Sequence, residues 1–85
     1  MDITIKTAFK PGDRVYIPML FSGVWNVSKI PYEIISISVR INKKNQINVF
    51  YTVEDDIGLV STWLETSCFS NYQRSLQWCE EQNNK

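Results

Sequence analysis

Histidine is absent from this sequence. With it go the commonest general acid–base and the usual nitrogen ligand of a zinc site. Glycine occurs only at Gly12, Gly23 and Gly58, too sparsely for a phosphate-cradling loop. The two cysteines, Cys68 and Cys79, lack metal-ligand spacing. They read as core thiols of a protein in a reducing cytoplasm, with a disulfide between them as the alternative. No apolar run approaches the roughly 20 residues that a membrane-spanning helix needs. Met1-Asp2-Ile3-Thr4 has neither the basic nor the apolar region of a secretory signal. A charge surplus is missing too: nine basic and nine acidic side chains cancel, whereas a dedicated nucleic-acid binder carries excess Lys and Arg. No catalytic residue, metal or cofactor is expected from such a set, and the chain reads as a binding protein rather than an enzyme.

What is present makes one domain of 85 residues. A chain of this size buries roughly 60–65% of the surface its unfolded form exposes, so its core is thin. The charges are unevenly spread along it. Residues 1–44 carry seven basic and three acidic groups, and residues 45–85 two basic and six acidic. A dipolar molecule follows unless strands from the two halves interleave, as a small barrel makes them do; interleaving is the expectation.

Apolar periodicity predicts about five strands and then a helix. Residues 2–7 alternate, with Ile3 and Ile5 on one face, and read as a short edge strand. Lys10-Pro11-Gly12-Asp13 is a type II turn by composition, with Pro presetting the first central φ and Gly supplying the positive second one. Arg14-Val15-Tyr16-Ile17 is extended and stops at Pro18. Residues 19–31 form an unusually apolar connecting segment. In the clearest strand, Ile35, Ile37, Val39 and Ile41 form the face to be buried. Asn42–Gln46 is a hairpin turn, and the return strand buries Ile47, Val49, Tyr51 and Val53. Glu54-Asp55-Asp56 lacks the alternating spacing of a calcium loop and reads as a solvated turn. Leu59–Leu64 is one more strand. Ser70 with Gln73 makes a capping box, which opens a helix over about 71–81. Its apolar stripe is Tyr72, Leu76 and Cys79, widened by Trp78. Residues 82–85 read as a disordered tail, leaving 1–81 as the domain. So few antiparallel strands limit their exposed edges by closing into a barrel.

Phe9-Lys10-Pro11-Gly12-Asp13-Arg14-Val15-Tyr16 resembles the opening of SH3-like barrels of the Tudor, KOW and CarD N-terminal kinds. Trp63-Leu64-Glu65 through Cys68-Phe69-Ser70 into the helix resembles the ending of small bacterial and prophage-encoded SH3-like proteins. Together these stretches frame residues 9–81. The resemblance implies a mainly β fold, a small five-stranded antiparallel SH3-like barrel with one C-terminal α-helix. It implies no single function, because this fold hosts many unrelated binding roles. Met19–Ser28 departs from the basic, Gly-rich first loop of KOW modules, which weakens an RNA-binding reading.

Partner binding is therefore placed on aromatic side chains. Phe21 and Trp25 lie in the apolar 19–25 segment, which in an SH3-like barrel borders a ligand groove; exposed aromatics of this kind dominate binding hot spots. The opposing reading is that the segment folds back and caps the thin core. Tyr16 and Phe50, with Tyr32 close by, fall on the polar faces of their strands. There they are either exposed contacts or surface that the helix covers, and helix coverage is the expectation for Phe50. The preferred function is a protein-interaction module, an adaptor or an inhibitor of a larger host machine such as a defence nuclease, carried by a bacterium or a mobile element. A homodimer through the Ile3–Ile5 edge fits the same reading. The rival is a nucleic-acid-binding module using Arg14, Arg40, Lys43 and Lys44. A structural part of a phage particle is a third reading, which predicts a stable higher oligomer.

Overall fold

The computed structural model describes residues 5–85. Among the described residues six strands are present, where five are expected over the whole chain. They are β1 (Arg14–Val15), β2 (Met19–Phe21), β3 (Val24–Asn26), β4 (Tyr32–Ile41), β5 (Ile47–Glu54) and β6 (Val60–Leu64). A 3₁₀ turn over Glu65–Ser67 and one helix, α1 (Tyr72–Asn83), complete the chain. Four strands form an antiparallel sheet in the order β1-β4-β5-β6, and β2 with β3 makes a separate hairpin. The sheet curls into a half-barrel. Its two ends are drawn together by an antiparallel bridge in which Tyr16 and Phe69 exchange backbone hydrogen bonds of 2.7 and 2.9 Å. Among the described residues no helix is long and apolar enough to cross a membrane.

The turns follow their sequences closely. Gly12 takes φ 95° and the Asp13 amide donates to the Lys10 carbonyl, which is the turn that Pro11-Gly12 dictates. In the β4–β5 turn one side chain organises the loop. Asn42 Oδ1 accepts from the Lys44 and Gln46 amides at 2.9 and 3.0 Å, and Asn45 takes the left-handed φ of 60°. Asp55 does the same after β5, its Oδ1 accepting from the Ile57 and Leu59 amides. That carboxylate is a turn-former, and among the described residues no group of three or more His, Cys, Asp or Glu could hold a metal.

The core is as thin as the chain length requires: Val15, Ile17, Ile34, Val49, Tyr51 and Val53, with Phe9, Tyr32, Ile37, Trp63 and Cys68 packed against it. The expected inner face of β5 is correct through Val49, Tyr51 and Val53, but Ile47 is exposed. β4 corrects the sequence reading. A β-bulge between Ile34 and Ser36 inserts one residue, so the buried position is Ile34 and Ile35 is turned outward. Ile34 is pinned from the turn before β1, since its N–H donates to the Asp13 carbonyl and its carbonyl accepts from the Gly12 amide. Farther along, Val39 and Ile41 stay exposed, because β1 is too short to accompany them.

Four further expectations change. Ile5–Thr7 are not in a strand, and the rest of the edge strand expected over 2–7 lies outside the described residues. Residues 19–26 are a hairpin instead of a connecting segment. Ser22 and Gly23 both take positive φ, 50° and 80°, between the Phe21–Val24 pair. This is the type I′ geometry whose twist suits two flanking strands. The helix is capped by Asn71, not Ser70: the Asn71 side chain accepts from the Gln73 and Arg74 amides, satisfying two orphan donors at once. α1 also runs on through Asn83, so residues 82 and 83 belong to it and not to a tail. Its buried positions include Ser75 and Cys79, with Tyr72 and Leu76 half-covered.

Candidate functional site: a tryptophan-lined groove

The β2–β3 hairpin determines where the candidate aromatics go. Leu20 and Trp25 are cross-strand partners and share one face, while Met19 and Phe21 lie on the other. The first face meets the helix. Trp25 packs edge-on against Trp78 with ring centroids 4.8 Å apart, a favourable geometry for two indoles. Asn83, near the end of α1, fastens the same residue. Its side-chain oxygen accepts from the Trp25 amide at 2.8 Å and its side-chain nitrogen donates to the Trp25 carbonyl at 3.0 Å. An amide side chain thus pairs with β3 as a neighbouring strand would.

Trp78 also leans on Phe69, with centroids 6.1 Å apart, and Phe69 is fixed by its bridge to Tyr16. Trp63, opposite Tyr51 across β5 and β6, donates its indole N–H to Ser61 Oγ at 2.8 Å. These elements enclose an open groove of about 310 Å³, walled by Pro18, Trp25, Trp63, Phe69 and Trp78. Thr66 and Ser67 supply its hydroxyl rim, and among the described residues no charged one lines it. All three tryptophans of the chain therefore converge on one groove. A second depression shares the Phe69 and Trp78 wall and carries Arg74, Gln77 and Glu81.

The five aromatics selected from sequence do not form one surface. Trp25 is half-buried in the groove. Phe21, 63% exposed, lies on the far side of the hairpin, where it lines another depression of about 340 Å³ with Met19, Ile17 and Tyr32. Tyr32 donates toward Met19 Sδ at 3.9 Å. Its phenol is pushed above the ordinary value, first by burial and then by Asp55 and Asp56. Tyr16 stacks against Tyr72 with centroids 5.7 Å apart and is thus bound to the helix. The expectation that the helix covers Phe50 fails. α1 packs on β3, Tyr16 and Phe69, whereas Phe50 lies on the outer face of the sheet opposite Ser38 and Leu64, under the Arg40 guanidinium at 5.2 Å. The basic set is divided as well. Arg40, Lys43 and Lys44 belong to the β4–β5 tip. Arg14 pairs opposite Glu33 at the other end of β4, beside Glu54, Asp55 and Asp56.

The thiols are held in their protonated form. Cys68 is pushed up to about 11, by burial and then by Glu65, and its Sγ donates to the Leu64 carbonyl. Cys79 is raised by burial and by Glu80. Both are free. A third polar cluster lies under the N-terminal segment, where the fully buried Tyr51 hydroxyl donates to Glu65 Oε2 at 2.5 Å and accepts from the Phe9 amide at 3.1 Å. The same carboxylate oxygen accepts from the Ala8 amide.

Sequence reasoning missed Pro18, Trp63, Phe69 and Trp78 as a group. The signal available was compositional, three tryptophans in so short a chain, but their positions 15 to 53 residues apart gave no reason to bring them together. Compared with known proteins, the chain matches no family model, no curated protein and no solved structure.

Proposed function

We propose that this chain is a non-enzymatic protein-interaction module of SH3-like organisation. It holds an extended, uncharged segment of a partner protein by one large apolar side chain seated in the tryptophan groove. The observation that carries this reading is the convergence of all three tryptophans with Phe69 and Pro18 on an open, uncharged groove. A groove of about 310 Å³ is at the small end for a drug-sized ligand and suits one or two side chains. Aromatic walls of this kind are typical of binding hot spots. The Tyr16–Phe69 bridge that follows a 3₁₀ turn supports the SH3-like organisation. Against catalysis stand the missing histidine and a Cys68 thiol held up to about 11. The partner itself would be the component that an adaptor recruits or an inhibitor blocks.

The test is selection from a random peptide library, followed by amide and indole chemical-shift mapping of the selected peptides. The expected sequences share an apolar anchor without flanking charge, and they move the three indole N–H signals. Thr66→Trp, which fills the groove from an exposed rim position, abolishes their binding. Peptides that leave the indoles unmoved refute the groove. Steeply salt-dependent binding of DNA or RNA that moves the Arg40, Lys43 and Lys44 amides replaces it with the nucleic-acid reading.

A further inference from the structure

β4 has an open edge. β1 accompanies it only at Tyr32 and Glu33, and the Gly12–Asp13 turn occupies the backbone of Ile34. Among the described residues, nothing pairs with Ser36–Ile41 on that side. Six residues at roughly 3.3 Å each leave about 20 Å of unpaired strand, the kind of edge that recruits another strand unless it is protected. Its surroundings are apolar: Val39 is 37% exposed, Ile41 48% and the neighbouring Ile47 45%.

The two ends of this edge carry opposite charge. The expected interleaving of the two halves does not occur in the sheet, where β1 and β4 of the first half lie on one side and β5 and β6 of the second half on the other; the β4–β5 hairpin separates the signs along its length as well. Arg40, Lys43 and Lys44 stand at its tip. At its base Glu33 and Glu54 face each other across the two strands, an unfavourable pairing of like charges, with Asp55 and Asp56 beside them and Arg14, among the described residues, the one basic neighbour in that crevice.

We infer that this edge is a dimer interface, in which β4 pairs antiparallel with β4 of a second copy of this chain around a two-fold axis near Ser38. An antiparallel arrangement is the one that brings the basic tip of each copy to the acidic base of the other. With Ser38 on the axis, Ile37 falls opposite Val39 of the second copy, so the apolar inner faces of the two sheets run on as one. Lys43 of one copy then approaches the base of the other, where Glu33, Glu54, Asp55 and Asp56 outnumber Arg14 of the intervening β1. Such a contact is self-complementary and closes on itself. The other open edge, β6, offers no such guidance, since residues 57–64 contain no charge. No residue of the β4 edge lines the tryptophan groove, so the two sites stand or fall separately.

Sedimentation equilibrium at concentrations up to about 1 mM tests this inference. The wild-type chain is expected to form a dimer and nothing larger, weakening about tenfold or more as salt is raised. Val39→Lys removes the dimer. So does Lys43→Glu/Lys44→Glu, and so does Glu33→Lys/Glu54→Lys. An equimolar mixture of the two charge-reversed proteins restores it, because each now supplies the sign the other lacks. All four reversed positions are solvent-exposed, so the charge-swap result stands even if Val39→Lys fails to fold. A wild-type chain that is monomeric throughout overturns the inference. A dimer that survives each charge reversal alone, or charge-reversed proteins that fail to associate with each other, does the same.

Discussion

Replacing Tyr51 with Phe isolates the polar cluster beneath the N-terminal segment. The ring is fully buried and keeps its edge-to-face contact with Phe9, whose centroid is 5.7 Å away, so the substitution removes one oxygen and almost no packing. That oxygen makes two hydrogen bonds, donating to the Glu65 carboxylate and accepting from the Phe9 amide. A bond to a charged acceptor contributes about 1.5–3 kcal/mol, and stranding the half-covered Phe9 N–H adds part of its desolvation cost. Water that reaches Glu65 recovers some of this, leaving an expected loss of about 2–3 kcal/mol. For a domain of this length that lowers the melting temperature by roughly 10–20 °C, a large share of a total stability of roughly 4–13 kcal/mol. Urea and thermal unfolding followed by circular dichroism measure it. Glu65→Gln, which keeps the acceptor and loses only the charge, is expected to cost about 1 kcal/mol, and the double-mutant cycle should show the pair coupled by about 1–2 kcal/mol. A Tyr51→Phe protein within about 0.5 kcal/mol of wild type, with its Phe9 amide still protected from exchange, refutes the cluster as a tie between the N-terminal segment and the 3₁₀ turn.

The two aromatics of the hairpin should separate in denaturation midpoints. Phe21→Ala is expected to stay within about 0.5 kcal/mol of wild type, whereas Trp25→Ala loses about 2–3 kcal/mol through its contact with Trp78; equal losses would contradict the geometry. Asn83→Ala breaks both bonds to the Trp25 backbone and should cost about 1–2 kcal/mol, with faster exchange of the Trp25 amide; an unchanged amide would remove that clamp. Alkaline pH should destabilise the fold. The folded state holds the Cys68 proton up to about 11 against an ordinary 9.0, and Tyr32 and Tyr51 are raised too. In that window the unfolded chain binds fewer protons than the folded one, so stability is complete below pH 9.0 and declines toward about 11. Urea midpoints at stepped pH check this, and Cys68→Ala should postpone the onset of the decline; midpoints that stay level throughout the window contradict it.

Local chemistry was legible where one residue type dictates one backbone. Pro11-Gly12 and Asn42–Gln46 formed the turns their compositions require, and the alternation from Ile47 to Val53 identified the inner face of β5. The errors arose where tertiary contacts outweighed pattern. Ile35 continues the alternation of Ile37, Val39 and Ile41, yet hydrogen bonds from Gly12 and Asp13 hold Ile34 inward, and the bulge takes up the mismatch. Ser22-Gly23 was a readable hairpin turn, but the apolar residues around it disguised two strands as a loop. Asn71 and Ser70 are both good N-caps, and only the backbone conformation chooses between them. The groove was the least legible feature, because proximity among residues 18, 25, 63, 69 and 78 is a property of the closed sheet and docked helix together.

Asn83 gives that last point a consequence in time. The groove takes one wall from a hairpin formed early in the chain, and that wall is secured by a residue 58 positions later. A nascent chain can form the β4–β5 hairpin from neighbouring residues as soon as both strands emerge. It cannot hold Trp25 in place until the end of α1 has emerged as well, and such distant closures are slow. During synthesis the tryptophan groove is therefore the last part to mature, and any truncation that spares the sheet while removing Asn83 should leave a folded chain with an unfinished groove.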